Sequence, residues 1–279
     1  MSVREQRSVA IGTFDGVHLG HRRVIEAAQA AGLPTTVLTF DPHPRVALGN
    51  QVELLTTLGR RLELLRGLGV DTIVVPFTSD LALATPEEFA ESVLRPLGAT
   101  VIAAGENFRF GRGRSGDLDT LAALGFDVRR VPLVEGISST RIRQLLHAGE
   151  IEAAARLLGR SPEVEGTVVA GDARGGTLGY PTANLAVPSD LIVPAYGIYA
   201  GEANGHRAAI SIGVNPHYGG EERRVEAFLL DFDGDLYGQR LLVELWQRLR
   251  EERAFASEGD LIEQIGRDVE AARAAERPS

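Results

Sequence analysis

Cysteine is absent from all 279 residues, which removes disulfides, thiolate metal ligands, zinc fingers and thiol nucleophiles together. Lysine is absent as well, so all 29 basic residues are arginine. Without lysine there is no Gly-Lys-Ser/Thr phosphate loop and no Schiff-base chemistry. Any phosphate must be held by arginine, histidine, backbone N–H groups or a metal. No run approaches the ~18 apolar residues of a membrane span. The opening MSVREQRSVA holds no apolar signal core, so the expected location is the cytoplasm, with no membrane partner. A net charge of −9 and the lack of a long basic run argue against a nucleic-acid partner. The sequence leaves homo-oligomerisation open.

What is present is ordinary for a globular protein: 44% apolar and 24% charged residues. At roughly 100–200 residues per domain the length suggests two domains or one large α/β domain. The first half alternates strand and helix. Val9–Phe14, Thr35–Phe40, Asp71–Phe77, Val101–Gly105 and Asp127–Leu133 read as strands. Between and after them lie helical stretches at His21–Ala31, Leu58–Leu68, Asp117–Leu124 and from Ser138 or Ser139 to His147, with a capping box at Thr85-Pro86-Glu87-Glu88. This alternation predicts βαβ units and a parallel sheet, a Rossmann-like α/β domain over residues 1 to about 146. A helix at Glu150–Leu158 leads to Arg160-Ser161-Pro162, a plausible boundary, giving expected domains of 1–160 and 161–279. Beyond it, Val164–Ala170, Gly197–Ala203, Arg207–Ile212, Val225–Phe232 and Gln239–Trp246 read as strands of a small antiparallel β-barrel. An amphipathic helix at Ser257–Ala275 closes the chain.

Four segments and one lone glutamate carry chemistry. Gly12-Thr13-Phe14-Asp15-Gly16-Val17-His18-Leu19-Gly20-His21 joins the first strand to the first helix. Ligands of open α/β sheets sit beyond the carboxyl ends of the strands, and a helix N-terminus there favours phosphate. His18 and His21 add donors, and Gly12 lets a nucleotide approach the backbone. Ser138-Ser139-Thr140-Arg141-Ile142-Arg143 puts hydroxyls and arginines at another helix start. Capping alone needs fewer of them, and arginine binds phosphate as a fork. The loop Gly105–Asp117 contains a literal G-x-G-x-x-G at Gly111–Gly116. Those glycines do not directly follow a strand and no acid lies ~20 residues on, which excludes a dinucleotide fingerprint. Its arginines and phenylalanines suit a flat, phosphorylated ligand. Gly171–Asn184 clusters glycines, among them Gly171 and Gly179, able to nest a phosphate. Its Thr182 and Asn184 are neutral oxygen donors suited to Mg²⁺ shared with ATP. Glu226, on the strand face opposite Val225 and Ala227, is a carboxylate among apolar neighbours and a candidate general base. Asp231-Phe232-Asp233-Gly234-Asp235 begins like a calcium loop, but Leu236 and Leu242 occupy the positions that require Gly and Glu. It reads as a hairpin turn.

Taken in order, G-T-F-D-G-V-H-L-G-H, F-D-P-H-P (Phe40–Pro44), G-E-N-F-R-F-G and I-S-S-T-R-I-R resemble one half of the bifunctional riboflavin kinase/FMN adenylyltransferases, the prokaryotic FAD synthetases. G-Y-P-T-A-N, the segment around Glu226, L-L-D-F-D-G-D-L-Y-G and the closing helix resemble the other half. The resemblance implies an N-terminal nucleotidyltransferase domain and a C-terminal riboflavin kinase barrel, with riboflavin, FMN and FAD as substrate or product, ATP as co-substrate and Mg²⁺ as cofactor. It implies that Gly12, Phe14, His18, His21, Ser139, Thr140 and Arg143 serve ATP in the adenylyl transfer, with His18, His21 and Arg143 catalytic. Asn107, Phe108 and Arg112 would contact the flavin. In the kinase half, Gly171, Gly179, Thr182 and Asn184 would take ATP, Thr182 and Asn184 the metal, and Glu226 would be the base. Three positions depart from the family pattern: Gly176 stands where arginine or lysine is usual, Ala170 for a histidine, and His217 for a threonine. The stretch before Ser138 is also a few residues short. Two alternatives therefore stand beside the main expectation: an adenylyltransferase whose kinase half is impaired or altered, and a flavin-binding protein without turnover.

Overall fold

The computed structural model describes residues 5–171, 179–214 and 223–278. The chain forms two compact units, one comprising residues 1–52 and 58–138, the other residues 53–57 and 139–279.

The first unit is built on five strands: β1 (Arg7–Ile11), β2 (Thr35–Asp41), β3 (Asp71–Pro76), β4 (Ala99–Gly105) and β5 (Asp127–Val131). All pair in parallel, in the order β3-β2-β1-β4-β5. Its helices are α1 (Leu19–Gln29), α2 (Pro44–Ala47), α3 (Leu58–Gly67), α4 (Ser79–Leu83), α5 (Pro86–Phe89) and α6 (Leu118–Ala123). The strands read as nearly continuous apolar runs because the sheet is covered on both faces. Val9 and Ile11 join a core with Leu38, Phe89 and Leu121, whereas Ala10 between them joins Val24, Ile25, Ala28 and Leu65. The period-two alternation of a strand thus feeds two separate cores. The capping box is present: Thr85 Oγ1 accepts from Glu88 N–H at 3.2 Å and Glu88 Oε2 from Thr85 N–H at 2.8 Å.

Helix α1 starts two residues earlier than the sequence predicts. His18 caps it, its Nδ1 accepting from His21 N–H at 3.3 Å. Sequence reasoning looks for Ser, Thr, Asp or Asn in that role, so a ring nitrogen doing the same job goes unseen.

The second unit contains α7 (Ser139–Ala148), α8 (Ile151–Leu158), a closed barrel and α9 (Glu258–Ala274). The barrel strands are β6 (Glu163–Val169), β7 (Ala183–Ala186), β8 (Gly197–Ala203), β9 (His206–Val214), β10 (Arg223–Leu229) and β11 (Arg240–Arg250). They close antiparallel in the order β10-β7-β6-β11-β8-β9. β11 outruns the predicted Gln239–Trp246 because its pairing with β8 shifts register after Leu245 and after Arg248. The shifts break the inward alternation that marks a strand in sequence. Helix α9 is held by the two-edged pair of Arg250 with Asp268 and by Arg273 on Asp231.

One short segment joins this unit from far upstream. Leu54 N–H donates to Asp190 O at 2.6 Å, Ile192 N–H to Leu54 O at 2.9 Å, and Thr57 Oγ1 to Glu165 Oε2 at 2.7 Å. Leu55, 6% exposed, belongs to the core formed by α7, α8 and the barrel.

Candidate functional site

In the first unit the strand order reverses beside β1: the chain passes from β1 to β2 and β3 on one side, then to β4 and β5 on the other. The crevice beyond the carboxyl ends of β1 and β4 is the place where such sheets bind ligands. The histidine motif leaves β1 there, and Asn107 follows β4 by two residues. The β1–α1 turn is tightly specified. Phe14 (φ 50°) and Val17 (φ 42°) sit in left-handed backbone that such side chains rarely adopt, and their burial at 1% and 2% exposure holds them in it.

The rings of His18 and His21 stack at 3.6 Å with 15° between planes, and Phe14 tilts against His21 at 5.3 Å. His21 Nδ1 is enclosed without a hydrogen-bond partner among the described residues. Burial first, then the neighbouring His18, then Arg61 hold the His21 imidazole well below its ordinary pKa of 6.5. At neutral pH it offers hydrogen bonds from a neutral ring. Its contribution to stability is therefore complete above pH ~6.5 and is lost as the pH falls below that value, since the unfolded chain binds the proton more readily. Between pH 7.5 and 5.5 the melting temperature of the wild type is expected to fall further than that of His21→Gln, as measured by differential scanning calorimetry.

Arg61, on α3, is a site residue that the sequence reading missed. Its side chain is 1% exposed. Nη1 donates to Thr13 O at 3.1 Å, Thr39 Oγ1 at 3.3 Å and Phe40 O at 3.3 Å. Nothing in an Arg/Leu-rich helix marks which arginine turns inward.

In the loop after β4, Asn107 and Arg112 are exposed and Phe108 is half-buried. Phe110 is a core residue, 8% exposed against Phe89. Phe108 stacks on it at 5.6 Å, so one of its faces is already covered. Phe110 thus belongs to the core of the first unit. The loop closes on itself through paired Phe110 and Gly116 hydrogen bonds of 2.9 and 3.0 Å. A Cβ on Gly111 or Gly116 would run into Pro86, so packing accounts for these two glycines.

Ser139, Thr140 and Arg143 belong to the second unit, on the first turns of α7. Arg143 Nε donates to Glu53 O at 2.5 Å and His147 Nε2 lies 2.6 Å from Glu53 Oε2.

In the barrel, Glu226 lies opposite Asn184 on β7 and Ser211 on β9. Thr182 Oγ1 donates to Glu226 Oε2 at 3.2 Å, and Arg224 Nη1 stands 3.7 Å from Oε1. The carboxylate shares its face with Phe228, as strand alternation predicts. Its immediate partners are polar, which corrects the apolar setting read from the sequence. Arg224 lies two residues back on the same strand, and Thr182, just before β7, is brought alongside by the pairing of β10 with β7, which local sequence does not reveal. Gly171 packs so closely on the Asn184 amide that a Cβ there would overlap it. Beside Thr182 opens a cavity of about 260 Å³, lined by Pro181, Phe232, Asp235 and Tyr237. Glu252, also missed, lays its carboxylate over Gly213, where any side chain would strike it. Burial and the nearby charge of Glu226 push its pKa up. Gly176, with the rest of 172–178, and His217, within 215–222, lie outside the described residues. Gly179 and Ala170 lie within them, flanking the glycine segment.

Comparison with known proteins matches both halves. A family model for FAD synthetase covers residues 1–144 and one for riboflavin kinase covers residues 158–276. Bifunctional riboflavin kinase/FMN adenylyltransferases of Listeria monocytogenes, Bacillus subtilis and Escherichia coli K12 are 38%, 35% and 37% identical. Each alignment covers 95% of this chain and 90–91% of the relative. A solved structure described as a macrolide-efflux protein from Streptococcus pneumoniae is 34% identical with a TM-score of 0.88, over 97% of this chain and 95% of that one. Among the described residues of this chain, no helix is long and apolar enough to cross a membrane. Nothing found favours either alternative, the adenylyltransferase with an altered kinase half or the binding protein without turnover. By these matches over nearly its whole length, the chain belongs to the bifunctional riboflavin kinase/FMN adenylyltransferase family.

Proposed function

We infer that the chain phosphorylates riboflavin to FMN with one ATP, and joins FMN to the AMP moiety of a second ATP, releasing pyrophosphate and giving FAD. The observation that carries this reading is that both families' folds occur in one chain. We assign adenylyl transfer to residues 1–160 and the kinase to 161–279, working in the cytoplasm without a nucleic-acid or membrane partner.

In adenylyl transfer, Gly12, Phe14, His18 and His21 of the first unit serve ATP, and Ser139, Thr140 and Arg143 on α7 are assigned to ATP as well. His18, His21 and Arg143 stabilise charge at the reacting phosphorus. Asn107, Phe108 and Arg112 hold the flavin, the uncovered face of Phe108 being available to a flat ring. In the kinase, Glu226 accepts the proton of the ribityl hydroxyl as it attacks the γ-phosphorus, and the bond to the β,γ-bridging oxygen breaks with ADP as the leaving group. The 3.2 Å bond from Thr182 supports that role by fixing the carboxylate. Gly171 and Gly179 flank the ATP phosphates. Thr182 and Asn184 would hold Mg²⁺. Their neutral oxygens, next to one carboxylate, fit a hard cation that takes its other ligands from water and phosphate. No cluster of three or more acidic or histidine ligands competes among the described residues. When bound, the ion supplies charge neutralisation to the transferring phosphoryl group.

The test is chromatography of flavins after incubating the protein with ATP and Mg²⁺, with riboflavin in one reaction and FMN in the other. FAD from both is the expected result. FAD from FMN alone would restrict the protein to adenylyl transfer, and no product from either would overturn the reading.

A further inference from the structure

The bulkiest fully enclosed side chain among the described residues is a cation, Arg61. Removing a guanidinium from water is costly unless it is matched by partners. Here the matching is local and specific. All three acceptors of Nη1, at Thr13, Thr39 and Phe40, lie just beyond or at the carboxyl ends of β1 and β2. Thr39 Oγ1 itself donates to Thr13 O at 2.9 Å, so the carbonyl that begins the histidine turn is gripped twice. Asp15, fully buried in that same turn, and Asp41 at the end of β2 supply opposing charge. Arg61 Nε is enclosed with no partner among the described residues.

We propose that Arg61 is a positioning residue for adenylyl transfer: it pins the main chain at Thr13, and so fixes the turn that presents the stacked His18 and His21 rings. This rests on the adenylyltransferase reading of that motif. Packing alone does not ask for a guanidinium here, since a methionine fills similar space without the cost of desolvating a charge. A second consequence is electrostatic. The titratable and charged groups around His21 are His18 from the start of its own helix and Arg61 from α3, while Asp15 and Asp41 face Arg61 from the turn and from β2. The Arg61 charge opposes a proton on His21, adding to the larger effects of burial and of His18, so the same side chain places the ring and helps to hold it neutral.

The experiment compares the full-length wild type, Arg61→Met and Arg61→Lys. FAD formation from FMN is followed as kcat, KM and pH profile, and FMN formation from riboflavin in the same preparations reports an intact second unit. For Arg61→Met the expected result is a kcat for FAD lower by roughly 100-fold, the scale of a lost preorganised charge arrangement. The KM for FMN stays within about threefold, and the acid limb of kcat moves to higher pH as His21 protonates more easily. Arg61→Lys keeps the charge, but its ammonium is one bond shorter than the Nη1 that reaches Thr13, Thr39 and Phe40, so its acid limb stays in place while kcat falls at least about tenfold. Wild-type kcat in either variant overturns the proposal. So does a loss in Arg61→Met that leaves the pH profile unmoved and follows the loss of folded protein. If Arg61→Met does not fold, Arg61→Lys decides by kcat alone. A wild type that makes no FAD from FMN would overturn the adenylyltransferase reading itself, a result the variants cannot imitate.

Discussion

His21→Ala is expected to lower kcat for FAD formation from FMN by about 10²–10³-fold, the range for removing one preorganised donor at a developing charge. The same preparation should convert riboflavin to FMN at the wild-type rate. The size follows from the surroundings. His21 is stacked on His18 and backed by Phe14, in a turn fixed by buried side chains and by Arg61. A neutral ring so held needs no reorganisation when charge builds on phosphate. Truncating it leaves a hole that water fills without orientation. KM for ATP is expected to change less than kcat, because donors aimed at the transition state bind the ground state weakly. Steady-state kinetics on the two half-reactions check this. An equal fall in both half-reactions would mean a folding defect, and an unchanged FAD rate would remove His21 from the mechanism.

Glu226→Gln should show the reverse pattern: FMN formation lower by about 10²–10⁴-fold, the usual worth of a general base, with FAD formation from added FMN intact. Glutamine keeps the shape and can still bond Thr182, so the variant removes proton acceptance and little else. The ladder partners Asn184 and Ser211 are backbone-registered and should not move. Fluorescence or chromatographic assay of FMN from riboflavin checks the prediction. Phosphorylation surviving at more than a tenth of the wild-type rate would dismiss Glu226 as the base.

The alternation of apolar runs with capped helices made both architectures legible, because burial on two sheet faces and closure of a barrel each leave a local period. The motifs at Gly12–His21 and around Thr182 were legible because glycines, histidines and short polar side chains cluster there in one order at the ends of strands, where such sheets and glycine nests take phosphate. Arg61 was hidden because helical periodicity marks a face by its apolar residues, and this inward position is filled by a charge. Thr182, Asn184 and Ser211 are brought beside Glu226 by register, which is non-local, whereas Arg224, two residues back on the same strand face, was within reach of strand alternation. The short helices Pro44–Ala47 and Ser79–Leu83 were too brief to show a period at all.

The segment Glu53–Thr57 has a consequence for how the gene can be divided. Leu55 is encoded between β2 and α3, yet it completes the core that contains Ile142, Leu146, Leu158 and Val164. Thr57 and its partner Glu165 are 108 residues apart in the chain. A nascent polypeptide therefore carries Leu55 before the first of the other residues of its core, Ile142, has been made, and any open reading frame that starts after residue 57 lacks it permanently. A frame starting at residue 161 also discards α7 and α8, and with them a wall of apolar side chains whose individual loss costs about 2–5 kcal/mol each. A barrel expressed without residues 53–57 is therefore left with a gap in its core where Leu55 belongs.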